Sequence, residues 1–140
     1  MVDHPTLVIV TTDPTPPYEQ LRRQLVELIR CNVMAPGDRL PPVRQLASDL
    51  GLATGTVART YRELESIGLI RSSRGGGTRV AESVEHISAQ ERHRLIHGQA
   101  ADYLRRALMM GFDTEAAMNA VQEAARAPAA RRIGDALPPP

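Results

Sequence analysis

The stretch LPPVRQLASDLGLATGTVARTYREL, residues 40–64, holds two short helical patterns separated by one glycine. In the first, Val43, Leu46, Ala47 and Leu50 recur at the i, i+3, i+4, i+7 spacing that lines up one face of an α-helix. Pro41 and Pro42 are expected in its first turn, where a proline loses only an N–H that has no intrahelical partner. Gly51 is expected to stop it, because glycine reaches the left-handed conformation without a Cβ clash. In the second pattern Val57, Tyr61 and Leu64 give a similar stripe, followed by Ile67 and a second stopping glycine, Gly68. Helices of about nine and thirteen residues joined by a turn of about three or four are the outline of a helix-turn-helix, whose second helix enters the DNA major groove.

Upstream, Leu7-Val8-Ile9-Val10-Thr11-Thr12 is apolar and β-branched and predicts a short strand, paired with another because a lone strand is unstable. Asp13 and the prolines at 14, 16 and 17 bound it. A helix is predicted from Tyr18 to Val33, with Leu21, Leu25, Leu28 and Ile29 on one face and Arg22, Arg23 and Glu27 mostly on the other. Ala35-Pro36-Gly37-Asp38 breaks it, and Leu40 is expected to be buried beneath that turn. Downstream, Leu69-Ile70-Arg71-Ser72 and Thr78-Arg79-Val80 flank Ser73-Arg74-Gly75-Gly76-Gly77 and predict a hairpin. A hairpin directly behind a helix-turn-helix makes a winged helix.

Beyond Val80 the pattern predicts a helix from Ser88 to Met110, with Leu95, Ile96, Gln99, Tyr103, Leu104, Ala107 and Leu108 in a broad stripe and Gly111 ending it. Thr114 is expected to cap a second helix running to about Arg126, with Ala117, Met118, Val121 and Ala125 on its apolar side. Two amphipathic helices of this size cannot enclose a core, so they pack on the first domain, on a second copy, or on both. Pro128 onward, ending in Leu137-Pro138-Pro139-Pro140, cannot continue a helix and reads as a disordered tail.

A length of 140 residues allows one ordinary domain and an appendage, and a 42% apolar content suffices for a core. Three Tyr, one Phe and no Trp make that core aliphatic and disfavour a site of stacked aromatics. The net charge of +1 conceals a distribution: residues 38–80 carry seven Arg against four acids, whereas each flank is slightly acidic. All 17 basic residues are Arg, the side chain whose planar fork pairs with phosphate or a guanine edge, although the chain is rich in Ala, Arg and Pro throughout. The single cysteine, Cys31, has no internal partner, which fits a reducing compartment, and reads as a small half-buried helix residue. Without a signal-peptide pattern or an apolar run near the ~20 residues of a membrane span, a cytoplasmic location is expected. His93 and His97 stand at i, i+4, but with no third ligand evident they read as a solvated face and not a metal site. No Ser-His-Asp, paired-carboxylate or phosphate-loop arrangement is visible, so neither an enzyme nor a cofactor is expected.

Tyr18-Glu19-Gln20-Leu21, Pro36-Gly37-Asp38-Arg39-Leu40-Pro41, Arg44-Gln45-Leu46-Ala47, Thr56-Val57, Tyr61, Leu64-Glu65, Gly68-Leu69-Ile70 and Gly75-Gly76-Gly77-Thr78 resemble the DNA-binding domain of the GntR family of bacterial transcription regulators. The match covers roughly residues 7–80, and the short two-helix C-terminus is similar to the YtrA subfamily, whose members dimerise through those helices. The resemblance implies a homodimer on a near-palindromic double-stranded DNA operator, usually acting as a repressor. The expected fold is α+β, mainly α. Residues 1–80 are a winged-helix DNA-binding domain with an N-terminal strand, three helices and the wing hairpin; residues 81–127 are a helical dimerisation region; residues 128–140 are the tail.

The second motif helix presents its N-terminal end to base edges, so Thr54, Gly55 and Thr56 come first. Small side chains there let backbone approach the groove, and helix N-terminal N–H groups can bind a phosphate. Either threonine can instead cap the helix, and Thr54 is expected to take that role. The family often has a capping Asn, Ser or Thr where this chain has Ala53, so the operator sequence does not transfer. Arg44 lies opposite the apolar stripe of the first motif helix, where the family pattern places a base-contacting arginine. Arg59, on the outer face of the second helix, suits a phosphate. Arg39 suits a phosphate or a salt bridge with Asp38 or an acid of the following helix, and Arg62 a phosphate or a pair with Glu63 or Glu65. Arg74, Gly75 and Gly76 read either as a hairpin turn or as a wing tip thin enough for the minor groove, and three successive glycines favour the wing. The alternative function is a metabolite-sensing regulator with its small-molecule pocket at the helical dimer interface, controlling DNA release.

Overall fold

A computed structural model describes residues 6–127, so the expected tail from Pro128 lies outside the described residues. The chain divides into two units, which in the described range are residues 6–86 and residues 87–127.

The first unit contains α1 (Pro17–Arg30), α2 (Val43–Leu50), α3 (Thr54–Ser66), β1 (Ile70–Ser73) and β2 (Gly77–Val80). Helix α1 is the centre of the core because Leu21, Leu25 and Ile29, four residues apart, are at most 1% exposed. Burying each such side chain is worth about 1.5–3 kcal/mol. Leu46 and Ala47 of α2, Val57, Tyr61 and Leu64 of α3, Leu40, Leu69, Ile70 and Val80 complete the cluster, with Val84 packed against it. The expected burial of Leu40 holds. Ile67 does not continue the α3 stripe: it follows the helix and is exposed.

Two helix boundaries differ from expectation. Helix α1 ends at Arg30 and not Val33, because Asn32 turns left-handed at φ 59° and the N–H groups of Val33 and Met34 both return to the Leu28 carbonyl. Pro41 and Pro42 precede α2 and do not occupy its first turn: Pro42 caps it in extended conformation, while Pro41 is buried with its carbonyl taken by Tyr61. Gly51 does stop α2, at φ 68°.

Leu7–Thr12 forms no strand. Gln24 accepts from the Val8 N–H at 2.9 Å and donates to its carbonyl at 2.8 Å, and Gln20 does the same for Val10 at 2.8 and 3.0 Å. Side-chain amides of α1 thus satisfy the backbone groups that a neighbouring strand would have taken. The sheet among the described residues is the antiparallel pair β1–β2, in register Ile70↔Val80, Arg71↔Arg79, Ser72↔Thr78 and Ser73↔Gly77. The segment 37–40 runs along the free edge of β2 through Gly37 N–H to Val80 O, Leu40 N–H to Thr78 O and Val80 N–H to Asp38 O.

The second unit holds α4 (Ala89–Met109) and α5 (Thr114–Arg126). Ser88 caps α4 by accepting from Glu91 N–H. Asp113, and not Thr114, caps α5, accepting from Ala116 N–H at 2.8 Å; a carboxylate one residue earlier has the reach for the third N–H, which leaves Thr114 as the first helical residue. Tyr103 hydroxyl donates to Ala117 O at 2.8 Å and ties the two helices together. Ala107 and Ala117 are the buried apolar residues of this unit among those described, whereas Leu95, Ile96, Tyr103, Leu108, Met118 and Val121 of the two expected stripes are exposed. No helix among the described residues is long and apolar enough to cross a membrane.

Candidate nucleic-acid interface

The outer surface of α3 follows from what its inner surface buries. Val57, Thr60, Tyr61 and Leu64 face the core, which leaves Gly55, Arg59, Arg62 and Ser66 on the opposite line, all exposed. Two buried hydrogen bonds hold that line in place. Thr60 Oγ1 donates to Tyr18 O of α1 at 3.0 Å, and Tyr61 hydroxyl donates to Pro41 O at 2.6 Å. Burial pushes the Tyr61 hydroxyl pKa well above its ordinary value of 10, so it stays a donor at any physiological pH.

Neither threonine caps α3. Ala53 is the cap residue, without a side-chain bond, and Thr54 is the first helical residue, because the extended conformation that a cap needs has fallen on Ala53. Thr54 and Gly55 are exposed and Thr56 is half-buried. A Cβ on Gly55 would meet nothing within 4 Å and its φ is not positive, so neither internal packing nor backbone geometry requires a glycine there.

Arg44 on α2 is exposed and makes no hydrogen bond or ion pair among the described residues. Arg59 is engaged: its guanidinium lies 3.6 Å from the centroid of the Tyr18 ring, and its Nε is 3.3 Å from Glu63 Oε1. Arg62, expected either at a phosphate or with a nearby acid, carries no ion pair among the described residues. It belongs to the outer line as fully as Arg59 does, and the seven-residue spacing from Gly55 is the signal that identifies it.

At the hairpin end two of the three glycines have a structural reason. Gly75 and Gly77 have φ of 76° and 71°, whereas Gly76 has no positive φ and a Cβ there would meet only the Ser73 hydroxyl, which can rotate away. The loop closing the hairpin is Arg74-Gly75-Gly76, one residue longer than a two-residue turn, and its backbone demands glycine at 75 and 77 without reference to a ligand. Arg74 is exposed at its tip. Arg39 makes no salt bridge with Asp38 or an acid of α2 among the described residues: it lies against Gly77 and donates from Nη2 to Gly76 O at 3.1 Å, which ties it to the hairpin. His93 and His97 are exposed, and no group of three His, Cys, Asp or Glu suited to a metal occurs among the described residues.

Beside the interface, Glu19 bridges Arg22 at 2.6 Å and Arg23 at 2.9 Å. The Arg22 hydrogen bond, followed by that from Arg23, holds its carboxyl at about 2, below the ordinary 4.5. A depressed folded-state pKa contributes stability that is present above about 4.5 and lost as pH falls toward 2. Thermal melts of Glu19→Gln between pH 2 and 7 are therefore expected to show a shallower acid limb than wild type; coincident limbs would remove this pair from the account.

A sequence profile described as bacterial regulatory proteins, gntR family, matches residues 17–80, the span from α1 to the end of β2. The chain is 34% identical over 110 residues to the HTH-type transcriptional repressor YtrA of Bacillus subtilis, covering 76% of this chain and 85% of that protein. It is 48% identical over 63 residues to the HTH-type transcriptional regulator Rv1152 of Mycobacterium tuberculosis, covering 45% of this chain and 52% of that one. Among solved structures it resembles YtrA from Sulfolobus acidocaldarius, a GntR-family transcription factor, with TM-score 0.53 and 32% identity over 70% of this chain and 99% of that one. With the profile spanning helix-turn-helix and hairpin, and a repressor matched over most of its own length, the chain belongs to the GntR family and is a DNA-binding transcription regulator, not an enzyme.

Proposed function

We propose that the chain acts as a homodimeric repressor on a near-palindromic operator, with residues 6–80 binding DNA and residues 81–127 joining the protomers. The α3 helices enter successive major grooves about one helical turn apart and the hairpins take the flanking minor grooves. Thr54, Gly55 and Thr56 meet the groove floor, Arg44 reads a base, Arg59 contacts a phosphate from its shelf on Tyr18, and Arg74 with Gly75 and Gly76 forms the minor-groove tip. The observation that carries the dimer is the second unit, whose two helices bury two alanines and expose the apolar residues of both stripes. A surface of that kind needs a partner, and a second copy supplies it symmetrically. The repressor described for Bacillus subtilis, matched across 76% of this chain, favours the same direction of regulation.

Arg44 tests the DNA reading because it has no structural partner to lose. A bidentate contact to guanine is worth about 1–3 kcal/mol, so Arg44→Ala is expected to weaken binding to the selected operator roughly 5- to 150-fold in a gel-shift titration and to relax preference at one position per half-site. Undiminished affinity and selectivity would overturn the assignment.

A second reading, a regulator controlled by a small molecule, is favoured by a groove of about 700 Å³ on α4 lined by Gln99, Asp102, Tyr103, Arg106, Met109 and Met110. That volume is within the ordinary range for ligand sites, and the lining joins methionine surface to polar and charged groups. It differs from the first reading in requiring that a ligand shift operator affinity.

A further inference from the structure

The face of the hairpin sheet turned away from the core carries a row of arginines. Arg71 of β1 stands directly opposite Arg79 of β2, and Arg79 forms an antiparallel bridge with Arg39 on its other side. Residues in register share a face, and the neighbouring residues Leu40, Ile70 and Val80 point into the core, so the arginines lie on the other face, Arg71 and Arg79 exposed and Arg39 half-buried against Gly77. Like charges opposed across strands destabilise a sheet unless something neutralises them. No carboxylate does so: none of the three has an ion pair within 4.0 Å among the described residues, whereas Arg22, Arg23, Arg59, Arg94 and Arg105 each do. Arg39 and Arg79 use backbone carbonyls instead, Gly76 O at 3.1 Å and Gly37 O at 2.9 Å, which fixes their guanidinium groups without cancelling their charge. Arg71 is exposed and makes no such bond. A recess of about 280 Å³ on this face is lined by Gly37, Arg71, Ser73, Arg79, Val80 and Glu82.

We infer that this recess receives a backbone phosphate of the DNA strand bordering the minor groove, held by Arg71 and Arg79. The inference rests on the hairpin entering that groove. The Arg71–Arg79 pair lies two residue pairs behind the terminal pair Ser73–Gly77, which at about 3.4 Å per residue is roughly 7 Å from the base of the tip. The minor groove is about 7.5 Å deep and about 6 Å wide, so a hairpin whose three-residue tip reaches the floor holds this pair just above the lip, from which an arginine side chain reaches the bordering phosphates. Arginine's planar fork suits a phosphate, and Ser73 adds a hydroxyl on the same lining. Glu82, also on the lining, opposes an anion and limits the strength of the contact.

The test uses the full chain and a duplex that it selects from a randomised pool, titrated from 50 to 300 mM salt. Losing a whole phosphate contact lowers the slope of log affinity against log salt by about 0.9; with Arg79 still on the same phosphate, Arg71→Ala is expected to flatten the slope by about half that amount and to weaken binding about threefold without changing sequence preference. Glu82→Gln is expected to raise affinity about twofold by removing a negative charge beside the phosphate. An unchanged slope in Arg71→Ala, or a changed sequence preference, overturns the inference while leaving DNA binding intact. If Arg74→Ala alone leaves both affinity and slope untouched, the hairpin does not enter the groove, and the reading on which this inference rests fails with it. Circular dichroism of each variant separates these outcomes from misfolding.

Discussion

Replacing Ile96 and Met118 together by glutamate is expected to turn the proposed dimer into a monomer and to weaken operator binding by about a thousandfold, toward the level of non-specific contact. Ile96 on α4 is 58% exposed and Met118 on α5 is 61% exposed, so most of each side chain lies outside the packing of its own unit. Placed at an apolar interface, two carboxylates per protomer must shed water without a partner, which costs several kcal/mol. The second half-site then binds as a separate molecule and no longer at the high effective concentration of a linked one. Sedimentation equilibrium reads the association and a gel shift reads the affinity. A double variant that remains a dimer, with unchanged helicity, would show that this surface is not the interface.

Leu64→Ala is expected to produce the largest loss of stability, about 2–5 kcal/mol. Leu64 is fully buried on α3, the helix most extensively packed against α1. In a unit of this size each kcal/mol moves the melting temperature by about 4–8 °C, so a fall of roughly 8–40 °C is expected in calorimetry. Ile67, one turn further along the chain but 53% exposed, provides the control, since Ile67→Ala should leave the melting temperature nearly unchanged. Equal effects at the two positions would mean that α3 is not seated as described.

Periodicity made the three helices of the first unit legible, because helical burial repeats at 3.6 residues whatever the partner, and the hairpin was legible from two β-prone segments around a glycine-rich turn. Residues 7–12 misled for a definite reason: β-branched composition reports a preference for extended backbone, not which groups satisfy it, and here two glutamines on a helix do so. The caps fall one residue before Thr54 and Thr114 for different reasons: at Asp113 a carboxylate outcompetes the hydroxyl that follows it, whereas at Ala53 the extended backbone of a cap falls on a residue with no capping side chain. Of the candidate site, Arg44 and Arg74 lie exposed where expected, while Arg59 is shared with Tyr18 and Glu63. Arg71 and Arg79 were illegible as a pair, since the register that opposes them depends on the length of the glycine loop. Gly75 and Gly77 have backbone reasons of their own, so those two locate the tip irrespective of what it touches.

The clamp formed by Gln20 and Gln24 restricts which sequences this fold accepts in a way that exposure alone would miss. Both positions sit on the outer side of α1, where glutamate, lysine and glutamine normally interchange at little cost. Here each side chain must accept from one backbone N–H and donate to the carbonyl of the same residue, Val8 or Val10. Glutamate has no donor when ionised and lysine has no acceptor, so each conventional exchange breaks half of the clamp, and asparagine is a methylene too short. Two positions on an unremarkable-looking helix surface are thereby narrowed to one residue type, and a library that varied them freely would lose the anchoring of the N-terminal segment before it touched either the core or the DNA-facing side.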